Sequence, residues 1–135
     1  MISYQVENDL KAEEFVHILQ RSTLGERRPV DDAERIAGML AHGNLILTAR
    51  DNGQIVGVAR SLTDFSFCTY LSDLAVDKDY QHKGIGKELI RRTKLEAPKA
   101  KLILLAAPAA VNYYPHIGMK RHEHCFYIDR ADELK

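Results

Sequence analysis

Apolar residues along the chain recur with two distinct periods. "ISYQV", Ile2–Val6, alternates and predicts a short first strand. From about Leu10 to Ser22, Ala12, Phe15, Ile18 and Leu19 return at helical spacing, with Asn8 or Asp9 placed to cap the segment. "GERRP" breaks the pattern. Asp31 and Glu34 then stand in capping-box spacing, and Ala33, Ile36, Ala37 and Leu40 form one helical face that ends at Gly43. "NLILTAR" and "QIVGVARSLT" flank Asp51, Asn52 and Gly53, an Asn-Gly hairpin signal. "DFSF" leads on to "CTYLSDLAV", so three antiparallel strands are expected in sequence.

The second half changes rhythm. After "GIG" at Gly84–Gly86, Ile85, Leu89 and Ile90 mark one side of a helix that stops before Pro98, with Lys87, Glu88, Arg91, Arg92 and Lys94 on the rest. Leu102 to Leu105 are consecutively apolar and suit a strand covered on both faces. Strand, helix, strand in that order predicts a parallel crossover, hence a mixed sheet. Pro108 to about His116 reads as one more short helix, and "MKR" with "CFYIDR" as a closing pair of strands. The closing segment is brief, so those strands are short or a partner chain completes the sheet, which would make a homodimer.

Composition narrows the class. A chain of 135 residues suits one domain spanning residues 1–135. Acidic and basic residues balance at 19 each, giving no global field to gather nucleic acid or an anionic membrane. Cys68 and Cys125 form no scaffold pattern, the N-terminal stretch lacks a signal-like apolar core, and no apolar run approaches a membrane span. The expectation is a cytoplasmic protein with neither a nucleic-acid nor a membrane partner.

The turn "QHKGIGK" carries the chemistry. Glycines at Gly84 and Gly86 let the backbone approach a ligand closely, and the helix after them directs free N–H groups and a positive dipole end at the same point. Such a site favours phosphate, with Lys83 and Lys87 adding charge at its rim. Spacing excludes two familiar phosphate loops. A P-loop needs glycine where Gln81 stands and Ser or Thr where Glu88 stands; a dinucleotide fingerprint needs a small residue where Leu89 stands.

"VDKDYQHKGIGKELI" resembles the acyl-CoA signature of the GNAT superfamily of N-acyltransferases, Gln/Arg-x-x-Gly-x-Gly/Ala, here Gln81, His82, Lys83, Gly84, Ile85 and Gly86. "YYPHIGM" resembles the superfamily's later motif, a tyrosine four residues ahead of Gly-Phe, here Tyr114 before Gly118 and Met119. The order of elements agrees over nearly the whole chain. The resemblance implies an α/β (α+β) fold: a mixed, mostly antiparallel twisted sheet with a parallel central pair and about four flanking helices. It implies transfer of an acetyl group from acetyl-CoA to an amine of a small molecule or peptide, with no metal.

By the same resemblance, the amides of Gln81 through Lys87 would cradle the pyrophosphate. The strand at Leu74, Ala75 and Val76 would pair with the pantetheine arm, and an N–H near Leu74 would polarise the thioester carbonyl. Tyr114 matches the general acid that protonates the departing thiolate. Asp73, the only carboxylate inside "CTYLSDLAV", is the candidate for the base or for substrate orientation, against a structural hydrogen bond. Arg27 and Arg28 would either recognise a substrate carboxylate or lie solvated in a loop. Phe65, Phe67 and Tyr70 would line an acceptor pocket or fill core. "HEHC", His122–Cys125, has soft ligands but no second pair at zinc-like spacing, so surface histidines are expected there. Ala107 stands where many members carry an asparagine. The rivals to a small-molecule acetyltransferase are a non-catalytic acyl-CoA sensor and an enzyme acting on a protein N-terminus or lysine.

Overall fold

In the computed structural model, which describes residues 1–135, the alternating and helical patterns resolve into five strands and four α-helices. Met1–Leu105 and Ala106–Lys135 are separate units.

The first unit is a five-stranded sheet in the order β1-β2-β3-β4-β5. β1 (Ile2–Val6), β2 (Leu45–Asp51), β3 (Gln54–Thr63) and β4 (Cys68–Val76) pair antiparallel in succession, and β5 (Lys101–Ile103) pairs parallel with β4. The parallel pair therefore sits at one edge of the sheet. Asn52 and Gly53 turn the β2–β3 hairpin with φ of +51° and +86°, the left-handed pair that such a turn requires.

Helices cover both faces. α1 (Ala12–Arg21) and α2 (Ala33–His42) lie on one, burying Phe15, Ile18, Leu19 and Ile36 with Ile46, Ile55, Val58 and Ala75. α3 (Ile85–Glu96) lies on the other, burying Ile85 and Leu89 with Leu47, Ala49, Val56, Ala59 and Leu71. Gly57 permits that second contact. A Cβ there would meet Leu89 Cδ1 at 3.1 Å, Ile85 Cγ2 at 3.2 Å and Ala49 Cβ at 3.3 Å.

The sequence-based element ends shift where side chains find better partners. Asn8 does not cap α1: its Oδ1 accepts from Ile46 N at 2.8 Å and so fixes the start of β2. Asp32 caps α2, accepting from Arg35 N at 3.1 Å, one residue later than the expected Asp31. β5 is covered on one side only. Leu102 packs in the α3 cluster, whereas Ile103 and Leu105 are 48 % and 56 % exposed.

The second unit holds a short 3-10 turn at Pro108–Ala110, α4 (Tyr113–His116) and a 3-10 turn at Ala131–Glu133. The expected closing strands do not form. Residues 119–130 carry no strand, and Phe126 and Tyr127 are 86 % and 79 % exposed, consistent with the marginal stability of an isolated two-stranded pair in water. No helix of the structure is long and apolar enough to cross a membrane.

Arg50 ties β2 to the segment after β1 and to α1 through Glu7 Oε2 and Glu14 Oε2, each at 2.6 Å. Burial alone would raise the Glu7 carboxyl, but hydrogen bonds from Arg50, Gln5 and Thr48 outweigh it and bring the group down to about 2. A carboxyl lowered on folding adds stability above its unfolded value, and that stability is lost as pH falls toward the folded value. Unfolding free energy should therefore drop between about pH 5 and pH 2, and Glu7→Gln should flatten the slope in denaturant titrations across that window. A second pair of variants tests the sheet–helix contact. Gly57→Val should cost about 1–3 kcal/mol by overpacking. Gly38→Ala, at an α2 position where a Cβ meets nothing within 4 Å, should be neutral or stabilise by up to ~1 kcal/mol.

Candidate functional site

Asp73 is fully buried on β4, opposite Arg60 of β3. Its Oδ1 accepts from Arg28 Nε and its Oδ2 from Arg60 Nε. Register explains why they meet here. Arg60 pairs with Asp73 but Ser61 pairs with Leu71, so Ser72 is an extra residue, a β-bulge in β4. Both arginines hold that bulge: Arg60 Nη2 donates to Ser72 Oγ at 3.1 Å, and Arg28 Nη2 donates to the Ser72 carbonyl at 2.8 Å. Arg60 Nη1 also donates to the Met39 carbonyl at 3.1 Å, near the end of α2.

The bulge comes just where β4 loses one neighbour. Pairing with β5 covers Cys68 to Tyr70 only, and from Leu71 to Val76 that edge of β4 faces no strand. Leu74, Ala75 and Val76 therefore present an edge of backbone amides and carbonyls on one side while pairing with β3 residues Ala59, Val58 and Gly57 on the other. An added extended segment can pair along such an edge.

β4 ends in a braced corner. Asp77 is buried and accepts a two-pronged contact from Arg21 of α1, Nε and Nη2 each at 3.0 Å; it also accepts from Asp79 N at 2.9 Å. Burial pushes the Asp77 carboxyl up, but the Arg21 hydrogen bonds outweigh this and its value is lowered. Beyond the corner, Gln81 Nε2 donates back to the Val76 carbonyl at 3.2 Å, so the end of the open edge and the start of the turn are joined. His82 and Gly84 have φ of +65° and +81°. Gly84 caps α3, and the first bond of the helix is Glu88 N to the Gly84 carbonyl at 3.0 Å, which leaves the amides of Ile85, Gly86 and Lys87 without intrahelical acceptors. Nothing lies within 4 Å of where a Gly84 Cβ would project. Glycine is needed there for its backbone angle. Lys83 Nζ stands 5.1 Å from the Tyr80 ring centroid, and the Tyr80 hydroxyl donates to Asp51 at 2.7 Å.

The structure thus joins the expected strand residues Leu74–Val76 to the expected turn residues Gln81–Lys87 in one continuous feature. Tyr114 belongs to the second unit. It is half-buried in α4, its ring edge-on to Tyr113 at 5.3 Å, and Gly118 closes the short helix with φ of +103° while Met119 N donates to the Tyr114 carbonyl at 3.0 Å. Burial, reinforced by Tyr113, pushes the Tyr114 phenol above its usual value. Such a group stays protonated at neutral pH. His122 and His124 stack edge-on at 5.6 Å, and no group of three or more His, Cys, Asp or Glu side chains is arranged to hold a metal. Phe65 and Phe67 are exposed at the β3–β4 turn, which Asp64 holds by accepting from the amides of Ser66, Phe67 and Cys68.

Sequence reasoning passed over Arg60, Arg21 and Asp77. The available signal was a lone charge inside "IVGVARSLT", a strand otherwise made of core residues.

A mixed sheet of five strands with one parallel pair and four helices, with a bulged strand feeding a glycine turn at a helix N-terminus, is the acyl-CoA N-acyltransferase fold. A family model described as the acetyltransferase (GNAT) domain matches residues 6–130, and the chain belongs to that family. Histone acetyltransferase TAP1 of Glycine max is 30 % identical over 83 residues, 59 % of this chain and 35 % of that protein. GCN5-related N-acetyltransferase 2, chloroplastic, of Arabidopsis thaliana is 30 % identical over 70 residues, 50 % of this chain and 27 % of that protein. The chain thus spans about a third of the length of the curated relatives it matches. Among solved structures, a GNAT family acetyltransferase from Streptococcus pneumoniae superposes with a TM-score of 0.78 at 24 % identity, covering 96 % of this chain and 99 % of that one. An aminoglycoside acetyltransferase from an uncultured soil metagenomic sample superposes with a TM-score of 0.65 at 23 % identity, covering 96 % of each chain. At these identities the likeness is one of fold.

Removing the charge at Asp73 should leave two arginines facing each other in the core. Asp73→Asn should cost about 3–5 kcal/mol in chemical denaturation, the scale for breaking a buried ion pair from one side.

Proposed function

We propose that the protein transfers an acetyl group from acetyl-CoA to a primary amine by direct attack within a ternary complex. The observation that carries this reading is the open β4 edge, Leu71–Val76, running without a break into the Gln81–Lys87 turn and the free amides of α3. A pantetheine arm has the amide groups to pair with such an edge, and a pyrophosphate has the charge for such a helix start. The residues fit the donor: Leu74, Ala75 and Val76 would hold the arm, and Gln81, His82, Lys83, Gly84, Ile85, Gly86 and Lys87 the phosphates.

Bound acetyl-CoA supplies an acetyl carbon activated by its thioester. The protein's own groups do the rest. An N–H near Leu74 donates to the thioester oxygen and stabilises the charge that gathers there. The uncharged amine forms the new C–N bond as the C–S bond breaks, and the Tyr114 hydroxyl gives its proton to the sulfur. Of the amine's two surplus protons, the one lost before attack leaves to solvent and the one lost after attack returns to the Tyr114 phenolate, so one proton is released per ammonium consumed. Asp73 is buried with both oxygens taken by arginines, so we assign it to holding β4 and not to accepting a proton from the amine. The GNAT match over residues 6–130 supports acetyl transfer, and the raised Tyr114 phenol supports a proton donor at neutral pH. A homodimer in which a partner strand pairs along the outer edge of β5 belongs to the same reading.

The test is release of free thiol from acetyl-CoA over a panel of amines. Tyr114→Phe keeps the ring and removes the proton donor, so kcat and kcat/KM should fall together by about 10²-fold or more, with the thermal shift produced by acetyl-CoA retained. Wild-type rates in Tyr114→Phe across a pH series would remove the tyrosine from the mechanism. Thermal stabilisation by acetyl-CoA with no thiol released from any amine would instead indicate a binding module.

A further inference from the structure

Arg28 and Arg60 share a single carboxylate. Arg60 is 6 % exposed and Asp73 fully buried, and neither arginine pairs with any other acidic side chain, so the cluster carries one uncompensated positive charge. Such a charge is costly away from water unless an anion meets it. Each Arg60 nitrogen donates once, to Asp73, to the Met39 carbonyl and to Ser72 Oγ, and at 6 % exposure its two remaining N–H groups lie in the interior. Gly43 presses on its stem, since a Cβ there would come within 2.9 Å of Arg60 Cγ. Arg28 is different. It donates to Asp73, to the Arg27 carbonyl at 2.9 Å and to the Ser72 carbonyl at 2.8 Å, and its side chain is 23 % exposed. A guanidinium has five N–H groups, so Arg28 keeps donors for a ligand at the point where the cluster's excess charge reaches solvent.

The place is right for an acceptor. Arg28 is bound to Ser72, two residues before Leu74, a separation of about 7 Å along a strand. A molecule held by Arg28 can therefore present a group a few bonds away to a reacting centre at Leu74. Beside it, Leu62, Tyr70 and Ile103 pair in one row across β3, β4 and β5 and are 42 %, 37 % and 48 % exposed. Leu62 comes two residues after Arg60 on β3, so this apolar row lies on the same face of the sheet as Arg60 and Asp73.

We infer that the acceptor is an amine that also bears a carboxylate, with Arg28 as the carboxylate-binding residue and the row Leu62, Tyr70 and Ile103 receiving an apolar body. The inference rests on the acetyl-transfer reading above. The carboxylate completes the charge of the cluster, and the bidentate geometry of guanidinium and carboxylate fixes which way the amine points.

Matched acceptors test it: L-phenylalanine, L-leucine and L-methionine against their C-terminal amides, with acetyl-CoA and thiol release as the readout. After correction for the uncharged fraction of each amine, kcat/KM should favour at least one acid over its amide by about ten-fold or more in the wild type. Arg28→Gln should bring that ratio close to one, and Arg28→Lys should keep part of it. The ratio is taken within each variant, so a general loss of folding moves both terms alike. In a second readout, the N-acetyl amino acid with CoA should raise the melting temperature of the wild type more than that of Arg28→Gln. A wild-type ratio of one or less, a ratio that survives in Arg28→Gln, or no turnover of any acid while other amines release thiol would overturn the inference. Failure of the underlying reading looks different: no amine of any kind releases thiol, and both then fall.

Discussion

A carboxylate buried between two guanidinium groups sets the course of β4. Asp73 has no contact with solvent, so its charge is tolerable only because Arg28 and Arg60 both donate to it. Those two side chains come from a loop after α1 and from the middle of β3, and each uses a further nitrogen on Ser72. The bulge at Ser72 is thereby held from both sides. Because it lies just past the last residue that pairs with β5, it separates the part of β4 built into the sheet from the part whose edge is open.

Packing and charge hold the chain rigid from the open edge to the helix. Arg21 grips Asp77 at the end of β4, and Gln81 reaches back to the Val76 carbonyl, so the corner between strand and turn is fixed before the helix begins. Gly57 lets Ile85 and Leu89 settle against the sheet, which seats the first turn of α3 beside β3. Gly84 supplies a backbone angle that an ordinary residue adopts only with strain, roughly 1–2 kcal/mol. The helix start is thus preorganised, with free amides whose positions do not depend on a ligand.

Local chemistry made much of this readable from the sequence. Asn52-Gly53 specified the hairpin, the 85, 89, 90 spacing specified α3, and the Gly84–Gly86 turn specified where that helix begins. The resemblance implied roles for Leu74–Val76 and for Gln81–Lys87, and the Gln81 side chain joins the two stretches at one corner. Asp73 stood out as a polar residue in a core strand, but its partners lie 45 and 13 residues away in sequence, and pairing at that range depends on register, which a one-residue bulge resets. Side-chain competition hid other details. Asn8 was equally able to cap α1 or to bind β2, and only the approach of Ile46 decides between them. The run Leu102–Leu105 looked like a doubly covered strand because apolar content alone does not reveal that one face of the strand is left uncovered, as it is at Ile103.

If β4 beyond the bulge and the first turn of α3 form one ligand-binding edge, CoA must protect both together. Amide hydrogen exchange with and without CoA tests this residue by residue. Exchange should slow at Leu74–Val76 and at Gly84–Lys87 on addition of CoA, with the pairing of β1 and β2 unchanged. Protection confined to other segments, or none at saturating CoA, would contradict a single binding edge.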